Sequence, residues 1–218
     1  MNTPAPAADG TPDQPEGRRL ILDAAARLFR ERGYSATSLR DIAAGCGMKA
    51  GSLYYHFASK DEIVSEVLRI GVERVAEEVR RAVMALPPDA DVRLVLFTAV
   101  RTHLWALLEL QDYTSANVRI FGQVPLAVRE GHNAVRDSYE RYWNILLQRC
   151  AIEGRFDPER DLRLARLFLF NALNGSLEWY HPGVTSLDAL ARELTDLVLY
   201  GLTARNGATD PQAATPSR

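Results

Sequence analysis

The sequence predicts an all-α protein of about nine helices, in which a short three-helix unit precedes a larger helical part. Two observations support this fold class. Apolar residues recur at steps of three and four along most of the chain, and no segment alternates apolar and polar residues as a half-buried strand does. The 218 residues suffice for one large domain or two small ones. We expect a disordered tail at 1–15, domains at 16–60 and 61–205, and a second disordered tail at 206–218.

The first two helices are marked by their ends. An apolar stripe stops at Gly33, a residue that commonly closes a helix. Ser38 and Asp41 have the spacing of a capping box, although Thr37 could equally be the cap. These signals predict helices over 16–32 and 38–45.

The third and fourth helices follow a glycine-rich break. The GCG segment interrupts the second helix, and KAGSLYYHF, from Lys49 to Phe57, has the pattern of another short helix. Ser59 and Asp61 then open a long fourth helix that ends before Pro87.

Five more helices are predicted beyond the prolines. Asp157 followed by Pro158 signals the start of the eighth helix, because a capping carboxylate precedes a proline at the first helical position. Thr185 and Asp188 form a capping box for the ninth. The predicted ranges of helices five to nine are 92–112, 115–121, 126–153, 157–180 and 185–203.

Composition restricts the environment of the chain. Apolar residues make up 47% and charged residues 25%, as in ordinary globular proteins. The first residues lack a secretory signal, and no apolar run approaches the roughly 18 residues that a membrane helix needs. Cys46 and Cys150 lie far apart inside helical patterns, which favours a reducing cytoplasm over a disulfide framework. We expect no membrane contact and no cofactor.

Charge is unevenly distributed. Between Arg18 and Lys60 there are eight Lys and Arg residues against three acids, whereas residues 61–218 carry eighteen against twenty-two. A basic front on an acidic body is typical of a chain that touches phosphate at one end.

The basic segment has the layout of a helix-turn-helix, a motif that places its second helix in the major groove of DNA. Leu53 and Phe57, four residues apart, can point inward beside Ile42 of the second helix. Gly51 lets the backbone approach a base edge. The side chains expected to face outward are those of Lys49, Ala50, Ser52, Tyr54, Tyr55 and His56. Of the two tyrosines, Tyr55 is the one expected to lie half-buried against the first helix.

At these residues the sequence resembles the tetracycline-repressor-like (TetR) family of transcriptional regulators. The resemblance rests on GYSATSLRDIAAGCGMKAGSLYYHFASKDEI together with the order of the helices. It implies a homodimer that binds a palindromic duplex and is released by a small-molecule effector. By position, the implied phosphate contacts are Tyr54, His56, Lys60 and Thr37 or Ser38, with Arg40 beside them. The implied base readers are Lys49, Ala50, Gly51 and Tyr55, and Ser52 lies on the same surface.

The resemblance also places an effector pocket in the carboxy-terminal part. The expected lining combines aromatic and amide side chains, with His103 among the polar groups: Phe97, Trp105, Tyr113, Phe121, Trp143, Phe168, Asn171 and Asn174. The EWYHPG turn resembles regulators that sense acyl-CoA thioesters. Small and apolar residues on helices eight and nine predict a two-fold interface between subunits.

Other interpretations of the same residues stay open. Paired aromatics on a helix are commonly packing residues, and an isolated histidine such as His56 is commonly structural. A helical enzyme is disfavoured, because the four histidines are scattered and neither a phosphate loop nor a metal-spaced cluster occurs. The remaining alternative is a helical ligand-binding or interaction module without DNA binding.

Overall fold

The computed structural model describes residues 14–110, 112–156 and 160–201, and within these ranges it is helical without strands, which confirms the all-α class. The helices are α1 (Gln14–Arg32), α2 (Leu39–Gly45), α3 (Ala50–His56), α4 (Lys60–Met84), α5 (Val92–Leu108), α6 (Asp112–Ile120), α7 (Leu126–Ile152), α8 (Leu162–Trp179) and α9 (Leu187–Gly201). Among the described residues, no helix is long and apolar enough to cross a membrane.

The predicted boundaries of the early helices hold closely. Gly33 follows α1 with φ +80°, and its N–H donates to the Phe29 carbonyl. The Ser38 hydroxyl accepts from the Asp41 N–H while the Asp41 carboxylate accepts from the Ser38 N–H, so the capping box is confirmed and Ser38 is the cap. The Ser38 hydroxyl also donates to the Asp41 carboxylate, and this bond, together with the one from the Ser38 N–H, lowers the pKa of Asp41.

Two later helix starts were predicted wrongly. The eighth helix begins at Leu162, where the Asp161 carboxylate accepts from the N–H groups of the first turn; the expected start at 157–158 lies outside the described residues. The ninth is capped by Ser186, whose hydroxyl accepts from the Ala189 N–H. Asp188 pairs with Arg101 instead of closing a box. Gln14 and Pro15, expected in the tail, belong to α1, and the rest of both predicted tails lies outside the described residues.

The chain divides into two compact units. The first has described residues 14–78, 105–110 and 112–139, and it holds α1 to α3, most of α4, all of α6 and the first half of α7. Its core joins large buried side chains from all of these helices: Ile21, Phe29, Ile42, Leu53, Phe57, Ile63, Leu68, Ile120 and Val128. The domain boundary near residue 60 stays a prediction, and the compact unit extends well beyond it.

The second unit has described residues 79–104, 140–156 and 160–201. Its core includes Leu96, Leu104, Trp143, Leu147, Leu169 and Leu173. Arg166, 8% exposed, donates to the Glu140 carboxylate and to the Asn144 amide oxygen, so its buried charge is compensated.

Candidate nucleic-acid interface

The turn between α2 and α3 is fixed by buried side chains on both of its flanks. Ile42 of α2 and Leu53 of α3 are fully buried, and Phe57 directly after α3 is 1% exposed. In the turn, Gly47 has φ +72°, and the Met48 N–H donates to the Ala43 carbonyl at 2.8 Å. The two helices are therefore fixed against α1 by the same core.

The outer face of α3 is open to solvent. Lys49, Ala50, Gly51, Tyr54 and Tyr55 are exposed, as their helical spacing opposite Leu53 requires. Tyr54 is 60% and Tyr55 68% exposed, so the expectation that Tyr55 lies half-buried against α1 is wrong. The Tyr55 ring is nearly perpendicular to the neighbouring His56 ring, with centroids 5.3 Å apart. Ser52 is half-buried at the border of this face.

His56 does not face outward as predicted. It is 6% exposed, because it lies three residues after Leu53 and next to Phe57, on the inner side of α3. Its ring is packed against Gly17 of α1, where an added Cβ would come within 2.5 Å of the imidazole. Neither ring nitrogen has a hydrogen-bond partner among the residues that the structure describes. The His56 carbonyl accepts from the Arg18 guanidinium at 2.6 Å.

Thr37 is also an interior residue, contrary to its expected phosphate contact. It is 1% exposed, and its hydroxyl donates to the Gly33 carbonyl at 2.8 Å. The hydroxyl thus stabilises the connection between α1 and α2. Ser38 and Arg40 are exposed beside it.

Lys60 lies at the start of α4, partly buried against the α1–α2 connection. Its ammonium donates to the Tyr34 carbonyl and lies 3.8 Å from the centre of the Tyr34 ring, and burial lowers the pKa of Lys60. The Tyr34 hydroxyl donates to Asp61 at 2.6 Å; burial and this carboxylate raise the pKa of Tyr34 to about 12. An ammonium has three N–H donors, and Lys60 uses one of them for the Tyr34 carbonyl inside the unit.

The predicted effector residues are divided between the two units. Trp105, Tyr113 and Phe121 belong to the first unit, and the other five belong to the second. Phe168 and Asn171, expected to line a pocket, are exposed on α8 because they lie opposite the buried Leu169 and Leu173. Phe97 borders a groove of about 380 Å³ between α5 and α9, with Arg93, Arg192 and Asp196.

Trp143 and Asn174 do come together in the second unit. Trp143 is fully buried, and its ring meets those of His103 and Phe170 edge to face, with centroids 6.0 and 5.5 Å away. A His103 ring nitrogen lies 3.4 Å from the Asn174 amide oxygen. Phe170 was missed by the sequence analysis, although it lies four residues before Asn174 on α8. The group formed by His103, Trp143, Phe170 and Asn174 is called the aromatic cluster below.

A basic helix-turn-helix with a solvent-exposed second helix defines a DNA-binding protein. Comparison with known proteins makes the class specific. Residues 21–67 match the family model described as bacterial regulatory proteins, tetR family, and residues 89–202 match the tetracyclin repressor-like C-terminal domain.

Curated relatives agree over nearly the full length. The chain is 32% identical to the HTH-type transcriptional repressor KstR2 of Rhodococcus jostii, over 90% of this chain and 96% of that protein. It is 31% identical to KstR2 of Mycobacterium tuberculosis, over 85% and 92% of the two chains.

Solved structures share the fold. The ketosteroid transcriptional regulator KstR2 of M. tuberculosis superposes with a TM-score of 0.69 at 29% identity, covering 86% of this chain and 95% of that one. PfmR of Thermus thermophilus gives 0.70 at 30% identity, covering 84% and 99%. AibR, solved with isovaleryl coenzyme A and operator DNA, gives 0.74 at 21% identity, covering 84% and 97%.

The chain belongs to the TetR family of bacterial regulatory proteins. It is a ligand-responsive, DNA-binding transcriptional repressor and not an enzyme. Like other members of this family it acts on operator DNA as a dimer and responds to a small molecule.

The aromatic cluster makes folding sensitive to acid. Burial lowers the pKa of His103 from 6.5 to about 4. Between these values the unfolded chain binds a proton that the folded chain excludes, so stability falls as pH falls, by up to about 1.4 kcal/mol per pH unit for one proton. We expect the urea midpoint to drop less between pH 7 and pH 5 in His103→Gln than in the wild type.

The matched control is His181→Gln, which changes an exposed histidine. It should follow the wild-type pH profile. An unchanged profile for His103→Gln would show that this imidazole does not govern the acid sensitivity. His132, whose pKa burial also lowers to about 4, contributes to the sensitivity that remains.

Proposed function

We propose that the repressor acts in the cytoplasm and binds a palindromic operator as a homodimer, each subunit inserting α3 into one major groove. The observation that carries this proposal is the exposed face of α3, which is anchored from beneath by Leu53 and Phe57. Recognition helices about 34–36 Å apart meet successive major grooves on one side of the duplex.

The exposed residues divide into two roles. Lys49 and Tyr55 can donate to base edges, and the absence of a side chain at Gly51 allows close approach, with Ala50 beside it. Ser38, Arg40, Ser52, Tyr54 and Lys60 surround this patch and suit phosphate oxygens. Arg40 and Lys49 have no ion pair with a described residue, so both charges remain for the duplex.

The apolar surface of α8 and α9 suits a second copy of the chain. Phe168 is 75% and Leu197 is 67% exposed. Large apolar side chains grouped on one surface are typical of an interaction site, whereas single exposed ones are not. They border a groove of about 240 Å³ with small or apolar walls: Ala165, Leu169, Ala172, Leu194, Val198 and Gly201. Two copies of the chain that pack through this same patch would form a two-fold interface.

The effector is proposed to be a small apolar molecule or an acyl-CoA thioester. The aromatic cluster supports this choice, because a buried imidazole and an amide beside two aromatic side chains can orient a largely apolar ligand. The KstR2 relative is described as a ketosteroid regulator, and AibR was solved with an acyl-CoA. Both descriptions name molecules with an apolar carbon skeleton.

Gly51→Ala tests the DNA-binding face. An added Cβ at this position meets nothing within 4 Å, and alanine favours a helix over glycine by about 1 kcal/mol. We therefore expect unchanged or slightly higher stability together with at least about tenfold weaker binding, because the methyl group lies where the duplex must approach. The measurement is fluorescence anisotropy on a duplex selected from random DNA.

Gly131→Ala is the matched control, since Gly131 is exposed on α7 with equally open surroundings. It should bind the duplex like the wild type. Wild-type affinity in Gly51→Ala would remove α3 from the interface. The alternative of a module without DNA binding predicts that no duplex is enriched at low salt even with the wild type.

Phe168→Glu tests the subunit interface. A charge placed in a closed apolar contact has no partner there, so we expect the dimer to dissociate at micromolar concentration, as seen by analytical ultracentrifugation. Ile145→Glu changes a side chain of similar exposure, 61%, on α7 and should leave the dimer intact. A dimer of unchanged strength in Phe168→Glu would exclude this face.

Asn174→Ala tests the effector site. Acyl-CoA thioesters of increasing chain length should release the labelled operator from the wild type, whereas free coenzyme A should not. Loss of the amide should raise the thioester concentration needed for release by about three- to tenfold without changing operator affinity. Release by neither thioesters nor steroids would contradict the proposed effector class.

A further inference from the structure

Tyr113 of α6 connects two helices of the first unit. Its hydroxyl donates to the Asp23 carboxylate of α1 at 2.6 Å, and the side chain is 4% exposed. The guanidinium of Arg74 on α4 lies 4.2 Å from the centre of its ring. One side chain therefore contacts both the helix that supports α3 and the helix that follows it.

The backbone of α6 is equally close to α4. A Cβ added at Gly71 would lie 2.4 Å from the Tyr113 carbonyl, so only glycine permits this crossing. One turn later, the Asn117 amide donates to the Leu68 carbonyl at 2.7 Å. These contacts fix the position of Tyr113 against α4 without involving α1.

The other polar contacts between α1 and α6 lie at the two ends of α6 and are more exposed. Arg30 lies 3.3 Å from Asp112, and Arg119 donates to the Arg30 carbonyl at 3.3 Å, both at partly exposed positions. The Tyr34 N–H donates to the Gln123 side chain at 3.0 Å. Exposed ion pairs of this kind contribute at most about 1 kcal/mol. The Tyr113–Asp23 hydrogen bond is made to a carboxylate by a buried side chain. It is therefore stronger than these exposed contacts, because little water competes for it.

The position of α3 depends on α1. Gly17 leaves room for the His56 ring, and Arg18 holds the His56 carbonyl and covers the Phe57 ring at 4.0 Å. A rotation of α1 relative to α4 would therefore carry α3 with it. Asp23 lies less than two turns after Arg18 on the same helix, between the α3 contacts and the Arg30 contacts.

We propose that the Tyr113 hydroxyl is a positioning group for operator binding: by holding Asp23, it sets α1, and with it α3, at the angle relative to α4 that a palindromic duplex requires. This inference rests on the proposed function and goes beyond it, because Tyr113 lies in the core and contacts neither DNA nor effector in that role.

Tyr113→Phe isolates the hydroxyl. The ring, its burial and its contact with Arg74 remain, and only the hydrogen bond to Asp23 is lost. Two duplexes are compared by fluorescence anisotropy at 25 °C: the selected palindrome and the same duplex with one half-site scrambled. We expect about three- to tenfold weaker binding of the palindrome and unchanged binding of the half-site duplex, because one loosely held α3 can still find a single half-site.

Tyr142→Phe is the matched control. Tyr142 also lies beside an arginine, with Arg80 5.7 Å from its ring centre, but its hydroxyl has no hydrogen bond to a described residue. It should bind both duplexes like the wild type. Asp23→Asn should weaken palindrome binding too, and the double variant should be no weaker than the stronger single effect, as expected for one shared interaction.

Two outcomes would overturn the positioning role. Equal losses on the palindrome and the half-site duplex would mean that Tyr113 only keeps the unit folded. Wild-type palindrome affinity in Tyr113→Phe would mean that the hydroxyl is not needed. Failure of the proposed function looks different, because the wild type itself would then bind neither duplex.

Discussion

The burial of Leu53 and Phe57 is the contact on which the DNA-binding face depends. Both side chains reach the core of the first unit, and full burial of each contributes about 1.5–3 kcal/mol. Because they lie four residues apart, their burial determines the rotation of α3 about its own axis. Gly51 and Tyr55 then point to solvent as a geometric consequence. A surface that must fit the major groove is thus specified by residues that never touch it.

Some polar groups near this face serve the fold and not the duplex. The Thr37 hydroxyl and the His56 carbonyl are both used inside the unit, the first by Gly33 and the second by Arg18. These bonds reduce the freedom of the helix-turn-helix before DNA arrives. Preorganisation of this kind lowers the entropic cost of association, which otherwise opposes every contact with the duplex.

Local signals in the sequence predicted the fold well wherever a residue type has one predominant structural role, such as capping a helix. The Ser38 and Asp41 spacing, the glycine after α1 and the helical apolar stripes all correspond to the observed elements. The sequence was less informative where chemistry and burial disagree. His56 and Phe168 were assigned by residue type, a polar ring to the outside and an aromatic ring to a pocket. Their positions on the helices relative to buried leucines give the opposite result, since His56 is buried and Phe168 is exposed. The burial of His56 depends on its packing against Gly17 of α1, a contact that the local sequence does not reveal.

In a dimer, an internal contact that orients α3 affects the binding of both half-sites. Binding of the first half-site converts the second contact into an intramolecular step, whose effective concentration depends on how narrowly the second α3 is held. If α1 can move, α3 moves with it and samples orientations that do not fit the groove. Both subunits of a symmetric dimer have the same mobility. A hydrogen bond such as Tyr113 to Asp23, buried and made to a carboxylate, limits this freedom without adding any contact to DNA. Specificity for a palindrome over isolated half-sites can therefore be encoded in the interior of the protein, at positions where a survey of DNA-facing residues would not look.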